Sequence, residues 1–219
     1  MRIRSFIIAY ALVLAVLLFA DRRPSVVQQD HYSHVVDLTA PPASLTGGSG
    51  KAESVETRII SPAALIPGTW SSGQIPAERL IAPLVAIDVT SSEATTTSVT
   101  VDDIAAWESH NGPVPQGAVV AIRLKRNMKS PAEAVFPMTA DAARFLMDAR
   151  RVLGFAVESS ANLSADRTLA RQIALHGSYV VEGTTNLTAI PETGSLVIVA
   201  PGKNRNSAEA PVRLLAMVR

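Results

Sequence analysis

Cysteine is absent from the 219 residues, which excludes a disulfide framework, a thiol nucleophile and a cysteine-bound zinc. Histidine is nearly as scarce. Only His31, His34, His110 and His176 occur, a thin supply for imidazole-based metal chemistry. Neither sign of charge dominates: Lys and Arg total 20 against 19 for Asp and Glu, so no strong field favours nucleic acid. No apolar run reaches the roughly 20 residues of a full membrane span, and no internal repeat is evident. What remains is a chain long enough for one domain with a substantial core.

Arg2 and Arg4 precede an uncharged, mostly apolar run from Phe6 to Ala20, which stops at Asp21-Arg22-Arg23-Pro24. A run of this length suits the apolar region of a signal peptide better than a spanning helix. Leu18 is large for the position three before a cut after Ala20, so an uncleaved anchor is the alternative. Residues 1–20 are therefore expected to be a signal peptide or membrane anchor, residues 21–33 a polar tether, and residues 34–219 the folded domain. A periplasmic or secreted location follows, with anchoring by residues 6–20 as the alternative and no other membrane contact.

Leu45 to Glu53, rich in Gly and Ser, reads as a flexible loop. Leu84–Val89 is apolar and β-branched, a buried strand. Thr100 with Asp103 forms a capping-box pattern before a helix over Val101–His110, and Gly112-Pro113 ends it. Ala118–Leu124 and Val152–Val157 predict strands. Between them Thr139 caps a helix over Ala140–Arg150 with Ala142, Phe145, Leu146 and Ala149 on one face. A helix beginning at Ser164 ends near Gly177, followed by strands over Tyr179–Val181, Ser195–Ala200 and Val212–Val218. Strands alternating with short helices place the chain in the α/β class.

Few residues offer chemistry. His31 and His34 share a face on a helix but oppose each other on a strand; Val35-Val36 reads as strand, so both are expected in solvent. His110 and His176 lie at predicted helix ends, where a cation complements the dipole. Ser159, Ser160 and Ser164 form no nucleophile elbow, and Gly47-Gly48-Ser49-Gly50 lacks the lysine and flanking elements of a phosphate loop. Asn162-Leu163-Ser164 and Asn186-Leu187-Thr188 match the glycosylation sequon, which matters only in a eukaryotic source.

The run TRIISPAALIPGTWSSGQIPAERLIAPLVAIDV, Thr57 to Val89, resembles the metal-site segment of the kynurenine formamidase-like cyclase family of hydrolases. That segment reads roughly His-x-Gly-Thr-His-x-Asp-Ala-Pro-x-His, then a loop and Ile-Pro-x-Glu-Arg-Leu. Thr57, Pro62, Trp70, Ile75, Pro76, Glu78, Arg79 and Leu80 keep the scaffold letters. With Thr57 and Pro62 in register, Ser54, Arg58, Ile60 and Ala64 stand where the family has His, His, Asp and His. LARQIALHGSYVVEGTTNLTAIPETGSLVIVAP resembles the family's second signature: Glu182 falls on its glutamate ligand and Ala170 on its other histidine, and Gly183 replaces an Asn. HVVDLTAP, VTVDDIAAWESHNGPVPQGAVVAIRL and APVRLLAMV also fit, so the resemblance covers nearly everything after His34.

The resemblance implies a swivelling β/β/α fold whose mixed, barrel-like sheet is flanked by short helices, and an active-site entrance framed by Leu45–Glu53. Of the five ligand positions, Ser54, Arg58, Ile60, Ala170 and Glu182, only the last keeps a usual ligand type; Ala64 replaces the acid–base histidine. Ile60 and Ala64 have no side-chain donor, and a guanidinium repels a neighbouring dication. A buried carboxylate without metal needs a cation, so an Arg58–Glu182 ion pair is expected in the vacated space. The first functional reading is a non-catalytic homologue with no cofactor, binding a small molecule in the vestigial pocket, forming a homo-oligomer as the family does, and not binding nucleic acid. The second is an active amide or cyclic-amide hydrolase of arylformamidase type, with Zn or Mn held by a rebuilt site drawn from His31, His34 or a partner chain. A one-metal site from His176 and Glu182 is a further variant of that reading.

Overall fold

Side chains alternate strictly along the last strand. In the computed structural model Ala210, Val212, Leu214, Ala216 and Val218 are buried, and the residues between them are partly or fully exposed. Period-two burial of this kind marks a strand with one face on a core. The structure describes residues 32–40, 56–88, 98–123, 136–158, 163 and 166–219, within a compact unit, Tyr32–Arg219. The N-terminal apolar segment, the tether as far as His31, the Leu45–Glu53 loop, Ser54, Ser159, Ser160, Asn162 and Ser164 lie outside the described residues.

The described residues contain eight strands: β1 His34–Asp37, β2 Arg58–Ile60, β3 Ile81–Asp88, β4 Val119–Arg123, β5 Gly154–Val157, β6 Tyr179–Glu182, β7 Ser195–Pro201 and β8 Glu209–Val218. Seven of them close a barrel in the order β8-β2-β6-β5-β4-β3-β7 and back to β8. Neighbours from β3 through β6 are parallel; β2, β7 and β8 pair antiparallel with theirs. The mixed, closed sheet is the one the resemblance implies.

The remaining strand explains the seam. β1 pairs with Leu215–Val218 and β2 with Glu209–Pro211 of the same β8, while Thr39 bridges Thr184 just beyond β6. β1 and β2 are thus two pieces of one interrupted strand. Thr57 joins them: its buried hydroxyl accepts from the Ala40 amide at 2.7 Å and donates to the Gly183 carbonyl at 2.6 Å.

Inside the barrel lie Ala82, Ala86, Ala121, Ala156 and Ala216 with Leu84, Val181 and Tyr179, small residues making room for a few large ones. Gly154 is one such concession, since a Cβ there would stand 2.6 Å from the Tyr179 ring. Outward-facing Val85, Ile87, Val120, Ile122, Phe155 and Val180 form a second core with the helices. Those helices are the short α1, Pro62–Leu65, then α2 Val101–Asn111, α3 Ala140–Ala149 and α4 Arg167–Leu175. The last three connect the consecutive parallel strands from β3 to β6, as parallel pairing requires.

Local signals place α2 and α3. The Asp103 amide donates to Thr100 Oγ1 at 3.2 Å and the Thr100 amide to Asp103 Oδ2 at 2.8 Å, a completed capping box. Trp107 Nε1 pins α2 to the sheet through the Ala86 carbonyl at 2.9 Å. Thr139 caps α3, but its buried face is Ala142, Ala143, Leu146 and Met147; Ala149 is exposed, a correction to the expected stripe. α4 begins at Arg167, later than expected, because Asp166 supplies the cap, accepting from the Thr168 and Leu169 amides. β3 and β8 each begin three residues earlier than the sequence reading, on the far side of Pro83 and Pro211. Among the described residues no helix is long and apolar enough to cross a membrane.

Candidate functional site

Arg58 and Glu182 are direct partners across the antiparallel β2–β6 pair. Ile59 and Val181 beside them point into the barrel, so both charged side chains emerge on the outer face, towards the helices. Arg58 Nε donates to Glu182 Oε1, and its Nη1 lies 3.3 Å from Glu209 Oε2 on β8. Glu182 is 1 % exposed and the Arg58 side chain 45 %. The expected ion pair is present. Burial pulls the Arg58 pKa down, but the hydrogen bond and charge of Glu182, aided by Glu209 and Glu56, outweigh it and hold the guanidinium above its ordinary value.

Above this pair opens a cavity of about 640 Å³ between the outer face of β2 and β6, helix α1 and the start of α4. Arg58, Ile60, Ala64, Ala170 and Glu182 all line it. Five positions from two distant stretches of sequence, which the resemblance sets at functional positions of the family, therefore face one space; Ser54 lies outside the described residues. Their donor set does not suit a divalent metal. Ile60, Ala64 and Ala170 offer no lone pair, and the one buried carboxylate is engaged by a guanidinium. Among the described residues no group of three or more His, Cys, Asp or Glu side chains comes together.

The three described histidines are elsewhere. His34 is exposed on β1, its Nδ1 2.8 Å from Ser33 Oγ. His110 occupies the last turn of α2, with Nδ1 2.8 Å from the Ala106 carbonyl. His176 caps α4: Nδ1 is 2.9 Å from the Gln172 carbonyl and Nε2 2.7 Å from Asp148 Oδ1. It faces a separate recess of about 350 Å³ with Arg79 and Arg151. Glu182 lines the larger cavity, so a joint His176–Glu182 metal site is not formed.

The retained scaffold letters brace the far end of α4. Pro76 opens the 3-10 turn Ala77–Arg79, and Ile75 is buried in the barrel core. The Arg79 guanidinium lies 5.4 Å from the Trp70 ring centroid, and its Nη2 donates to the Gly177 carbonyl at 3.0 Å. Tyr179 returns a hydroxyl hydrogen bond to the Arg79 carbonyl at 2.8 Å. Burial lowers the Arg79 pKa and raises that of Tyr179. Gly177 has φ +64°, and its missing Cβ leaves room for the Trp70 ring.

Sequence reading overlooked three charged residues of the cavity: Glu209, Arg167 and Arg171. The only available signal was that Arg167 stands three residues before Ala170 and four before Arg171, a spacing that gathers all three on one helical face.

A profile of the family described as "Putative cyclase" matches residues 48–162, more than half of the 219 residues. The chain belongs to the cyclase family. This cyclase-family chain is 25 % identical over 160 residues to the isatin hydrolase of Roseibium aggregatum; the match takes in 64 % of the chain and 61 % of that protein's length. The structure is similar to isatin hydrolase A from Labrenzia aggregata bound to benzyl benzoate, with a TM-score of 0.67 and 26 % identity over 84 % of this chain and 93 % of that one. Isatin hydrolase A from Ralstonia solanacearum shares the fold, with a TM-score of 0.67 and 23 % identity over 96 % and 97 % of the two chains.

Proposed function

We propose that this cyclase-family domain has given up metal-dependent hydrolysis and acts as a binding homologue whose ligand site is the cavity over β2 and β6. The ion pair between Arg58 and Glu182 carries this reading. A hydrolytic metal needs converging lone-pair donors and an open position for water. In this cavity a fixed cation stands where such a metal would have to approach. At about 4 Å and an effective dielectric constant of about 20, a unit positive charge opposes each unit charge of a metal by roughly 4 kcal/mol. Hydrolysis of isatin, which names the relatives, therefore does not transfer with the fold.

The test uses the full chain. Purified protein is expected to carry less than a tenth of an equivalent of Zn or Mn and to leave isatin and N-formylaniline unchanged. Stoichiometric metal, with turnover abolished by Glu182→Ala, overturns the proposal. The reading also has the domain outside the cytoplasm, delivered by the Phe6–Ala20 segment, and paired with further copies of itself; cell fractionation and sedimentation velocity test these two statements.

A further inference from the structure

Resting on that reading of the cavity, we infer that it binds a small amphipathic monocarboxylate, its carboxylate held by Arg167 and Arg171 and its apolar body by the wall beneath them. Arg58, Arg167, Arg171, Glu182 and Glu209 all line the cavity. Arg58 is committed to both glutamates, whereas Arg167 and Arg171 have no ion-pair partner among the described residues. The two acidic side chains are thus already answered by one arginine, and two guanidinium groups at the rim are not. A space that a metal would have entered as a cation now attracts anions.

Helix chemistry points the same way. Arg167 is the first residue of α4, and the first turn contains no acidic side chain. Cations there oppose the helix dipole, and like charges four apart on a helix repel, each by a few tenths of a kcal/mol. Asp166 uses its carboxylate as the cap, bound to Thr168 and Leu169 amides. Local stability would favour acids at these positions; departures from a local rule concentrate at functional sites. Spacing of three and four puts Arg167, Ala170 and Arg171 on one helical face, and all three line the cavity.

The rest of the lining sets the ligand's other half. Ile60, Ala64, Leu65, Ile66, Leu163 and Ala170 form an apolar wall that cannot satisfy a fully polar anion such as phosphate. The volume falls in the range of small-molecule sites, roughly 300–1,000 Å³. A planar carboxylate matches the guanidinium fork, and a ring or branched chain covers the aliphatic surface.

Titration calorimetry on the full chain tests this with benzoate and hexanoate as probes, benzamide as the neutral isostere and inorganic phosphate as the purely polar anion. Saturable binding of both carboxylates is expected, at least tenfold tighter than benzamide and phosphate. The double variant Arg167→Gln/Arg171→Gln should weaken benzoate at least tenfold; Arg144→Gln, on the distant surface of α3, should not. No variant should lower the ligand-free Tm measurably, because these arginines are exposed and removal of Arg167 and Arg171 relieves the unfavourable charges at the start of α4. Equal binding of benzoate and benzamide, phosphate binding as tight as benzoate, absence of saturation, or indifference to the double variant each overturns the inference. Metal content and isatin turnover measured on the same preparation separate the two proposals. Metal-free, inactive protein that ignores benzoate sinks only the carboxylate site, whereas metal-loaded, active protein sinks the loss of hydrolysis whatever benzoate does.

Discussion

Replacing Arg58 by Met deprives a carboxylate that is 1 % exposed of its guanidinium while keeping most of the apolar stem. Breaking a buried ion pair by removing one partner costs about 3–5 kcal/mol, because the remaining charge stays desolvated. Here 45 % of the Arg58 side chain is exposed, so water gains a path to Glu182 in the variant. That access brings the expected loss to about 2–3 kcal/mol. Urea denaturation at pH 7 is the suitable assay, since guanidinium salts would screen the pair. The midpoint should fall by about 1 M with an unchanged slope. Arg58→Met/Glu182→Leu completes the experiment. With both charges gone and aliphatic residues in their place, stability should return to within about 1 kcal/mol of the wild type. If Arg58→Met lies within about 0.5 kcal/mol of the wild type, or the double variant is no better than the single one, the electrostatic account of this cavity is wrong.

Two further changes probe the frame around the cavity. Gly154→Ala places a methyl 2.6 Å from the Tyr179 ring and 2.7 Å from its carbonyl oxygen; it should cost about 1–3 kcal/mol or more by overpacking, and an unchanged Tm would refute the packing described for the barrel interior. Arg150 donates to both oxygens of Glu108 at 2.8 Å, and this contact, with the Val114 amide and against the effect of burial, holds the Glu108 carboxyl below its usual range. A carboxyl depressed in the folded state adds stability that is complete above its unfolded pKa, near 4.3, and is lost as pH falls through the lower folded value. Glu108→Gln should therefore be less stable than the wild type by about 1 kcal/mol at pH 7, with the gap narrowing below about pH 4; a gap independent of pH would contradict this.

Much of the frame is readable from local chemistry. Thr100 with Asp103, and Thr139, announce their helices because a cap and its amides lie within three residues of each other. Strand starts are less legible at Pro83 and Pro211, where a missing N–H suggests a break although each strand continues through. A proline is tolerated wherever the ladder asks no donor of that residue. The site divides in the same way. Family register locates Arg58 opposite Glu182, a contact between residues 124 apart that no periodicity could reveal. Arg167 and Arg171 escape notice because exposed arginines on an amphipathic helix look the same whether they face bulk water or the rim of a cavity. Only the packing of α4 over β2 and β6 distinguishes the two.

Thr57 ties the departing chain at Ala40 to the neighbouring strand end at Gly183. One hydroxyl therefore holds two halves of a single stave in line, so the closing of the hoop at this seam depends on a side chain as well as on the backbone ladder of β8.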